Sequence, residues 1–223
     1  MLALLFDVNE TLLDLSALDQ PFTEFFGDPE ARRTWFQSVL HTAMAITSAD
    51  DYVSFSDIGA AAIRQLADAR GLPADAAVAL ARRLQDLPPH PDVVPALTLL
   101  AEAGARMATL TNSPTPVVQN QLRNAGLSDY FEAAISCDQV HALKPAPQPY
   151  RHAADVLGLP IGEITLVAAH GWDIHGAQAA GARGAFVARP GQRLLPVGQP
   201  PAITGPDLLD VARQLVAAAG RGR

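Results

Sequence analysis

The sequence predicts an α/β protein: a doubly wound, Rossmann-like parallel-sheet core with a helical cap inserted after its first strand. Three observations carry this. From about residue 88 onward, short apolar runs alternate with helical stretches, the pattern of a parallel sheet covered on both faces. Between about Leu15 and Asp86 helical spacing dominates and no strand is evident. A stiff stretch, Leu87-Pro88-Pro89-His90-Pro91, separates the two regions. The expected division is a core from 1–14 and 88–223 and a cap from 15–87.

In order, Leu2–Val8 reads as a short buried strand, continuous and apolar, ending at the polar turn Asn9-Glu10-Thr11. Helices are expected near 16–27, 30–46, 56–70 and 74–86. Trp35, Phe36, Val39, Leu40 and Ala43 recur at helical spacing, as do Ile58, Ala62, Ile63 and Leu66. Asp28-Pro29 and Gly71-Leu72-Pro73 punctuate them. The core then alternates: helix 92–103, strand 105–111, helix 115–125, strand 133–136, helix 147–157, strand 164–168, helix 174–180, strand 184–188. Strand 201–204 and helix 206–219 close the chain. The Pro- and Gly-rich segment 189–201 reads as an irregular surface loop. Ligands in such sheets bind beyond the carboxyl ends of the strands. Asp7, Thr111 and the segment around His170 therefore belong to one rim.

Composition narrows the function. The 223 residues are 49% apolar and 17% charged, with a formal net charge of −7. A protein that neutralises many phosphates should carry basic runs, and none here exceeds two residues. Nucleic acid is therefore not an expected partner, and an anion site must be built from a few focused cations. Cys137 is the only cysteine, so no intramolecular disulfide can form; it reads as a small buried hydrophobe. The apolar start MLALLF is too short for a signal-peptide core, and no stretch reaches the length of a membrane span. A cytoplasmic location is expected.

Four sites on the rim carry chemistry. Asp7 ends the first strand with its carboxylate aimed into the crevice, before a turn whose N–H groups can hold an anion. Thr111-Asn112-Ser113-Pro114 ends a second strand; its hydroxyl and amide groups suit a ligand or a helix cap equally. Lys144-Pro145 precedes a helix, and His170-Gly171-Trp172-Asp173 follows the strand ITLVAA. His170 and His175 are too weak a pair to mark a metal site.

Taken together, Asp-x-x-x-Thr, Thr-Asn, Lys-Pro and the final Asp resemble, in order and spacing, the four motifs of the haloacid dehalogenase superfamily. The resemblance covers the whole chain, cap insertion included. Within that superfamily, phosphatases need a second Asp two residues after the nucleophile as general acid, and an extra acidic residue in the fourth motif for Mg²⁺. Here those places hold Asn9, which cannot supply an acidic proton, and a stretch with Asp173 as its only acid. The segments LLFDVNETLLDL, MATLTNSP, LKPAPQPY and LVAAHGWDIHGAQAAG are similar to those of the type II (L-2-)haloacid dehalogenases.

That resemblance implies hydrolysis of short 2-haloalkanoic acids to 2-hydroxy acids through an aspartyl ester, with no metal or cofactor, often in a homodimer. Asp7 matches the nucleophile and Thr11 supports it; Lys144 and Asp173 complete the catalytic set. Thr111 stands for a substrate-binding Ser, and Asn112 matches an Asn near the halide. Tyr150 keeps its family spacing to Lys144, and with Asn9 and Trp172 it joins the expected substrate contacts. A gapless alignment puts Arg33 on the halide-binding Arg, with the adjacent Arg32 as the alternative. Several positions depart from the family. An aromatic is usual at Asn9, a Gly at Glu10, and Ser-Ser-Asn where Ala168-Ala169-His170 stands. His170 is thus a candidate base, a hydrogen-bond partner, or structural. As a donor it makes fluoroacetate a candidate substrate. The rivals are a phosphatase-like hydrolase of the same fold and a non-catalytic binding protein on it.

Overall fold

The computed structural model describes residues 2–221. Six strands form one parallel sheet in the order β3-β2-β1-β4-β5-β6. They are β1 (Ala3–Phe6), β2 (Arg106–Thr111), β3 (Ala133–Ser136), β4 (Ile164–Ala168), β5 (Arg183–Val187) and β6 (Ile203–Gly205). In the core the helices are α5 (Val93–Glu102), α6 (Thr115–Asn124), α7 (Pro147–Leu157), α8 (Gly171–Ala180) and α9 (Leu208–Arg221). The central strands are largely apolar because helices cover both faces. Leu4, Leu5, Phe6, Leu110, Leu166 and Val167 are all buried.

Between β1 and α5 the chain is helical. A 3-10 turn (Leu15–Leu18) leads into α1 (Asp19–Phe26), followed by α2 (Ala31–Ser48), α3 (Phe55–Asp68), α4 (Ala74–Ala81) and a second 3-10 turn (Arg82–Asp86). None of these residues joins the sheet. Phe22 of α1 packs on Trp35 of α2 with ring centroids 5.2 Å apart, in a row that continues to Phe26 on one side and Phe36 on the other. The Trp35 indole N–H donates to the carbonyl of Gly59 on α3 at 2.9 Å. No helix among the described residues is long and apolar enough to cross a membrane.

Register explains what the sheet does for the site. Phe6 pairs with Thr109 on β2 and with Val167 on β4. Asp7 follows, its N–H still donating to the Val167 carbonyl at 3.1 Å. The winding direction reverses between β1 and β4, where an open sheet leaves a crevice. Asp7 and His170, at the ends of those two strands, stand at its mouth.

Some boundaries differ from the sequence reading. The first helix begins at Asp19 rather than 16, because Asp14 accepts the Ser16 N–H and holds Leu15–Leu18 in a tighter turn. The 74–86 helix tightens to 3-10 geometry after Ala81. α8 starts at Gly171 rather than 174. A Cβ at Gly171 would lie 2.4 Å from the Arg193 carbonyl, so the glycine answers a close backbone approach and does not break the helix.

Candidate active site

The site is assembled around Asp7. Thr11, one turn on, donates its hydroxyl to Asp7 Oδ2 at 2.6 Å, and accepts the Ala169 N–H at 2.9 Å. Lys144, in the loop before α7, is 1% exposed and bridges two carboxylates. Its Nζ is 2.9 Å from Asp7 Oδ1 and 2.5 Å from Asp173 Oδ2, and also donates to the Leu110 carbonyl. Tyr150 on α7 donates to Asp173 Oδ1 at 2.6 Å.

His170 closes the other side. Its Nδ1 is 3.0 Å from Asp7 Oδ2 and its Nε2 is 2.8 Å from Glu10 Oε2. Trp172 stacks on the imidazole with centroids 5.2 Å apart, and Phe36 of α2 lies 6.5 Å away. Glu10 also accepts from Arg32 Nη1 at 3.4 Å and from Gln192 Nε2 at 3.0 Å. Arg32 Nε in turn reaches Asp19 at 2.6 Å. The result is a chain of alternating charge: Asp7, His170, Glu10, Arg32, Asp19.

Burial alone would discharge these groups; for Asp7, His170 and Lys144 the neighbours outweigh it, and for Asp173 they do not. For Asp7, desolvation is opposed by Lys144, His170 and Thr11, which hold its carboxyl well below the usual range. For His170, desolvation is opposed by hydrogen bonds and charge from Asp7 and Glu10, and its pKa rises to about 10. Lys144 is buried too, yet Asp173 and Asp7 push it above its ordinary value. Burial and the nearby Asp7 charge raise Asp173. At neutral pH the centre is an anionic Asp7 held between an ammonium and an imidazolium.

Apart from Trp172, stacked on His170, the expected residues fall into three groups. Asp7, Thr11, Lys144, Asp173 and His170 form one hydrogen-bonded cluster. Thr111, Asn112 and Asn9 sit beside it, with part of their capacity committed. Thr111 Oγ1 accepts the Ser113 N–H, and Asn112 Oδ1 accepts the Lys144 N–H. Asn9 bridges Ser113 Oγ and Gln121 Nε2. The third group needs correction. Arg33 was aligned with a halide ligand, but its side chain is 61% exposed and pairs with Glu30. Arg32, at 6%, is the cation turned inward, because adjacent residues on α2 point about 100° apart. Tyr150 was expected at the substrate, but it is fully buried with its hydroxyl on Asp173. A Cβ at Gly176 of α8 would lie 2.7 Å from that hydroxyl, so the glycine makes room for it.

A cleft of about 520 Å³ opens beside the cluster, lined by Glu10, Arg32, Phe36, His170, Trp172 and Gln192 among others. Trp172 Nε1 is buried and takes no partner among the described residues. Across Phe36 lies a second, more apolar cavity of about 380 Å³, reaching Trp35, Val39, Ser113 and Val117. Three residues here were missed by sequence reasoning. Glu10 was noted only as a departure from the family. Gln192 and Arg189 lie in the segment read as surface loop. Arg189 is buried, donating to the Thr11 carbonyl at 2.9 Å and to both Asp92 oxygens.

The fold family brings Mg²⁺ into question, and the donor set does not suit it. All four oxygens of Asp7 and Asp173 already accept hydrogen bonds, from Lys144, Thr11, Tyr150 and, with His170 protonated, its imidazolium. A divalent ion on this pair would have to displace two cations. Among the described residues, no group of three or more His, Cys, Asp or Glu is placed to hold a metal.

Comparison with known proteins agrees with this frame. Residues 1–181 match the family model described as hydrolase, haloacid dehalogenase-like hydrolase. The haloacetate dehalogenase H-2 of Moraxella sp. (strain B) is 30% identical over 219 residues, 96% of this chain and 97% of that protein. The (S)-2-haloacid dehalogenase of Xanthobacter autotrophicus is 31% identical over 197 residues, 86% of this chain and 77% of that protein. Among solved structures, the L-2-haloacid dehalogenase from Xanthobacter autotrophicus with chloropropionic acid covalently bound matches with a TM-score of 0.89. Its identity is 26%, over 96% of this chain and 98% of that one.

Proposed function

The chain belongs to the haloacid dehalogenase-like hydrolases, and from that premise we propose that it hydrolyses short 2-haloalkanoic acids through an ester on Asp7. The observation that carries this reading is the environment of Asp7: a buried carboxylate kept anionic by Lys144 and His170, with an amide, not an acid, at position 9.

In the first step the Asp7 carboxylate attacks the carbon bearing the halogen, and the carbon–halogen bond breaks as the carbon–oxygen bond forms. A halide leaves without needing a proton, so the missing acid at Asn9 is no handicap. Arg32, Asn112 and Trp172 receive the halide, while Thr111 and the backbone N–H groups after β2 take the substrate carboxylate. In the second step water attacks the Asp7 carboxyl carbon, and Lys144 on Oδ1 stabilises the oxyanion. Asp173, held by Tyr150, keeps Lys144 in place. The helices between 15 and 87 act as a cap that brings Arg32 and Phe36 over the nucleophile. Fluoroacetate belongs among the substrates on a footing different from the one the sequence suggested. His170 is committed to two carboxylates, and Trp172 Nε1 is the buried N–H left to donate to a small halide.

Halide release from a panel of 2-haloacids, set against phosphate release from a chromogenic ester with added Mg²⁺, tests the reading. Brisk halide release that EDTA leaves untouched supports it; metal-dependent phosphate release alone would turn it over to a phosphatase.

A further inference from the structure

We infer that Glu10 is a positioning residue of this site: its carboxylate holds His170 by Nε2, so that Nδ1, facing Asp7, takes the proton from the water that hydrolyses the ester. This rests on the aspartyl-ester reading and assigns the base of its second step.

The geometry holds the imidazole by both of its nitrogens. Nδ1 meets Asp7 at 3.0 Å, Nε2 meets Glu10 at 2.8 Å, Trp172 stacks on the ring at 5.2 Å and Phe36 lies 6.5 Å away. A histidine kept for packing needs one partner; this one sits between two carboxylates in a buried site. Glu10 is itself over-determined. Its φ is +60°, a left-handed conformation that costs a non-glycine residue free energy and persists where surroundings impose it. They do so here. Arg32 and Gln192 hold its carboxylate, and its own N–H donates to the Leu13 carbonyl at 2.9 Å. His90 Nε2 stands 3.3 Å from its carbonyl.

This arrangement is a carboxylate–imidazole–acceptor line, in which the outer carboxylate sets the tautomer and orientation of the base. The reaction itself switches the base on. Before substrate attack, Asp7 and Glu10 both hold the imidazolium. Esterification removes the charge of Asp7, leaving Glu10 as the one carboxylate on the ring. The Nδ1 proton then leaves to the cleft, while Glu10 keeps Nε2–H. The charged groups facing His170 and its two partners are Asp7 from β1, Glu10 from the following turn, Arg32 from α2 and Lys144 behind Asp7. With one anion fewer among them, the elevated resting pKa of about 10 must fall.

The protons balance. Water gives one hydrogen to Nδ1 as its oxygen bonds to the Asp7 carboxyl carbon. Collapse of the tetrahedral intermediate expels the alkoxide, which takes that proton back and leaves as the hydroxy acid. Asp7, now a carboxylic acid, returns its proton to Nδ1 and the ion pair is restored. Over the cycle one proton goes to solvent with each halide.

Glu10→Gln keeps size and removes charge, and Glu10→Gly removes the carboxylate while relieving the left-handed backbone. Each is mixed, in excess, with 2-chloropropionate in quenched flow. Chloride reports ester formation, 2-hydroxypropionate reports hydrolysis, and the mass of the Asp7 peptide reports the ester. Both variants should release chloride within about threefold of the parent rate and hydrolyse the ester roughly 10- to 100-fold more slowly, so that ester accumulates. The pH profile of the hydrolysis step should move as well. Equal slowing of both steps, or hydrolysis at the parent rate, overturns the assignment to Glu10 and leaves the ester standing. Chloride release by the parent protein with no ester on Asp7 at any time overturns the ester reading, and this inference with it.

Discussion

Lys144 and Asp7 meet at 2.9 Å inside the protein, with almost no solvent at either side chain. The same ammonium holds Asp173 at 2.5 Å. One cation therefore keeps two buried carboxylates together, and with His170 it holds Asp7 as an anion.

Removing that cation should be costly twice over. Lys144→Met would leave Asp7 and Asp173 facing each other without a bridge, and stability should drop by about 3–5 kcal/mol. Turnover should fall by at least about 100-fold, because the charge beside the oxyanion is lost. Urea unfolding and halide release measure the two effects separately.

The two arginines of α2 should behave differently. Arg32→Ala should slow halide release by roughly 30- to 1000-fold, about 2–4 kcal/mol, since charge reaches the halogen only in the transition state. Arg33→Ala, which removes an exposed ion pair with Glu30, should change the rate by less than about twofold. The reverse order would put the halide on Arg33, at the exposed edge of the same cleft.

His170 makes stability depend on alkaline pH. Its pKa is raised from an ordinary 6.5 to about 10 in the folded protein. The folded state therefore holds a proton that the unfolded chain has released. The stabilisation is complete below about pH 6.5 and is lost progressively as pH rises through the folded value. The parent protein should lose stability between those limits with a one-proton slope, about 1.4 kcal/mol per pH unit. His170→Asn should lose that slope, as denaturant titrations at several pH values will show.

Trp172 offers a test of the halide pocket. If its indole N–H receives the departing halide, Trp172→Phe should depress fluoride release from fluoroacetate more than chloride release from chloroacetate. Fluoride is the stronger hydrogen-bond acceptor. A fluoride electrode reads the first and a chloride assay the second. Parallel losses, or no fluoride release by the parent protein, would remove the indole from that role.

Much of this was legible in the residues, for definable reasons. Strands 133–136 and 164–168 and helix 147–157 fall where expected because apolar runs and prolines bound them. Asp7, Thr11, Lys144, Asp173 and His170 converge because a parallel sheet delivers its strand ends to one rim. The partners of His170 were hidden for equally physical reasons. Glu10 reaches the imidazole through a left-handed backbone that local preference argues against. Arg32 differs from Arg33 by one residue of helix register, which an ungapped alignment through a loop does not resolve. Gln192 and Arg189 come from a segment whose Pro and Gly content reads as exposed loop, yet Arg189 is buried against Asp92 and the Thr11 carbonyl.

The origin of the product's hydroxyl oxygen tests covalent catalysis by Asp7 most directly. In a single turnover with enzyme in excess, run in heavy-oxygen water, the first hydroxyl oxygen should come from the Asp7 side chain. The 2-hydroxy acid should be unlabelled, and mass spectrometry should find the label in the peptide containing Asp7. Repeated turnovers should then carry label into the product, and Asp7→Asn, free of deamidation, should do neither. A labelled first product with an unlabelled protein would mean that water attacks carbon directly, and would contradict the account at its centre.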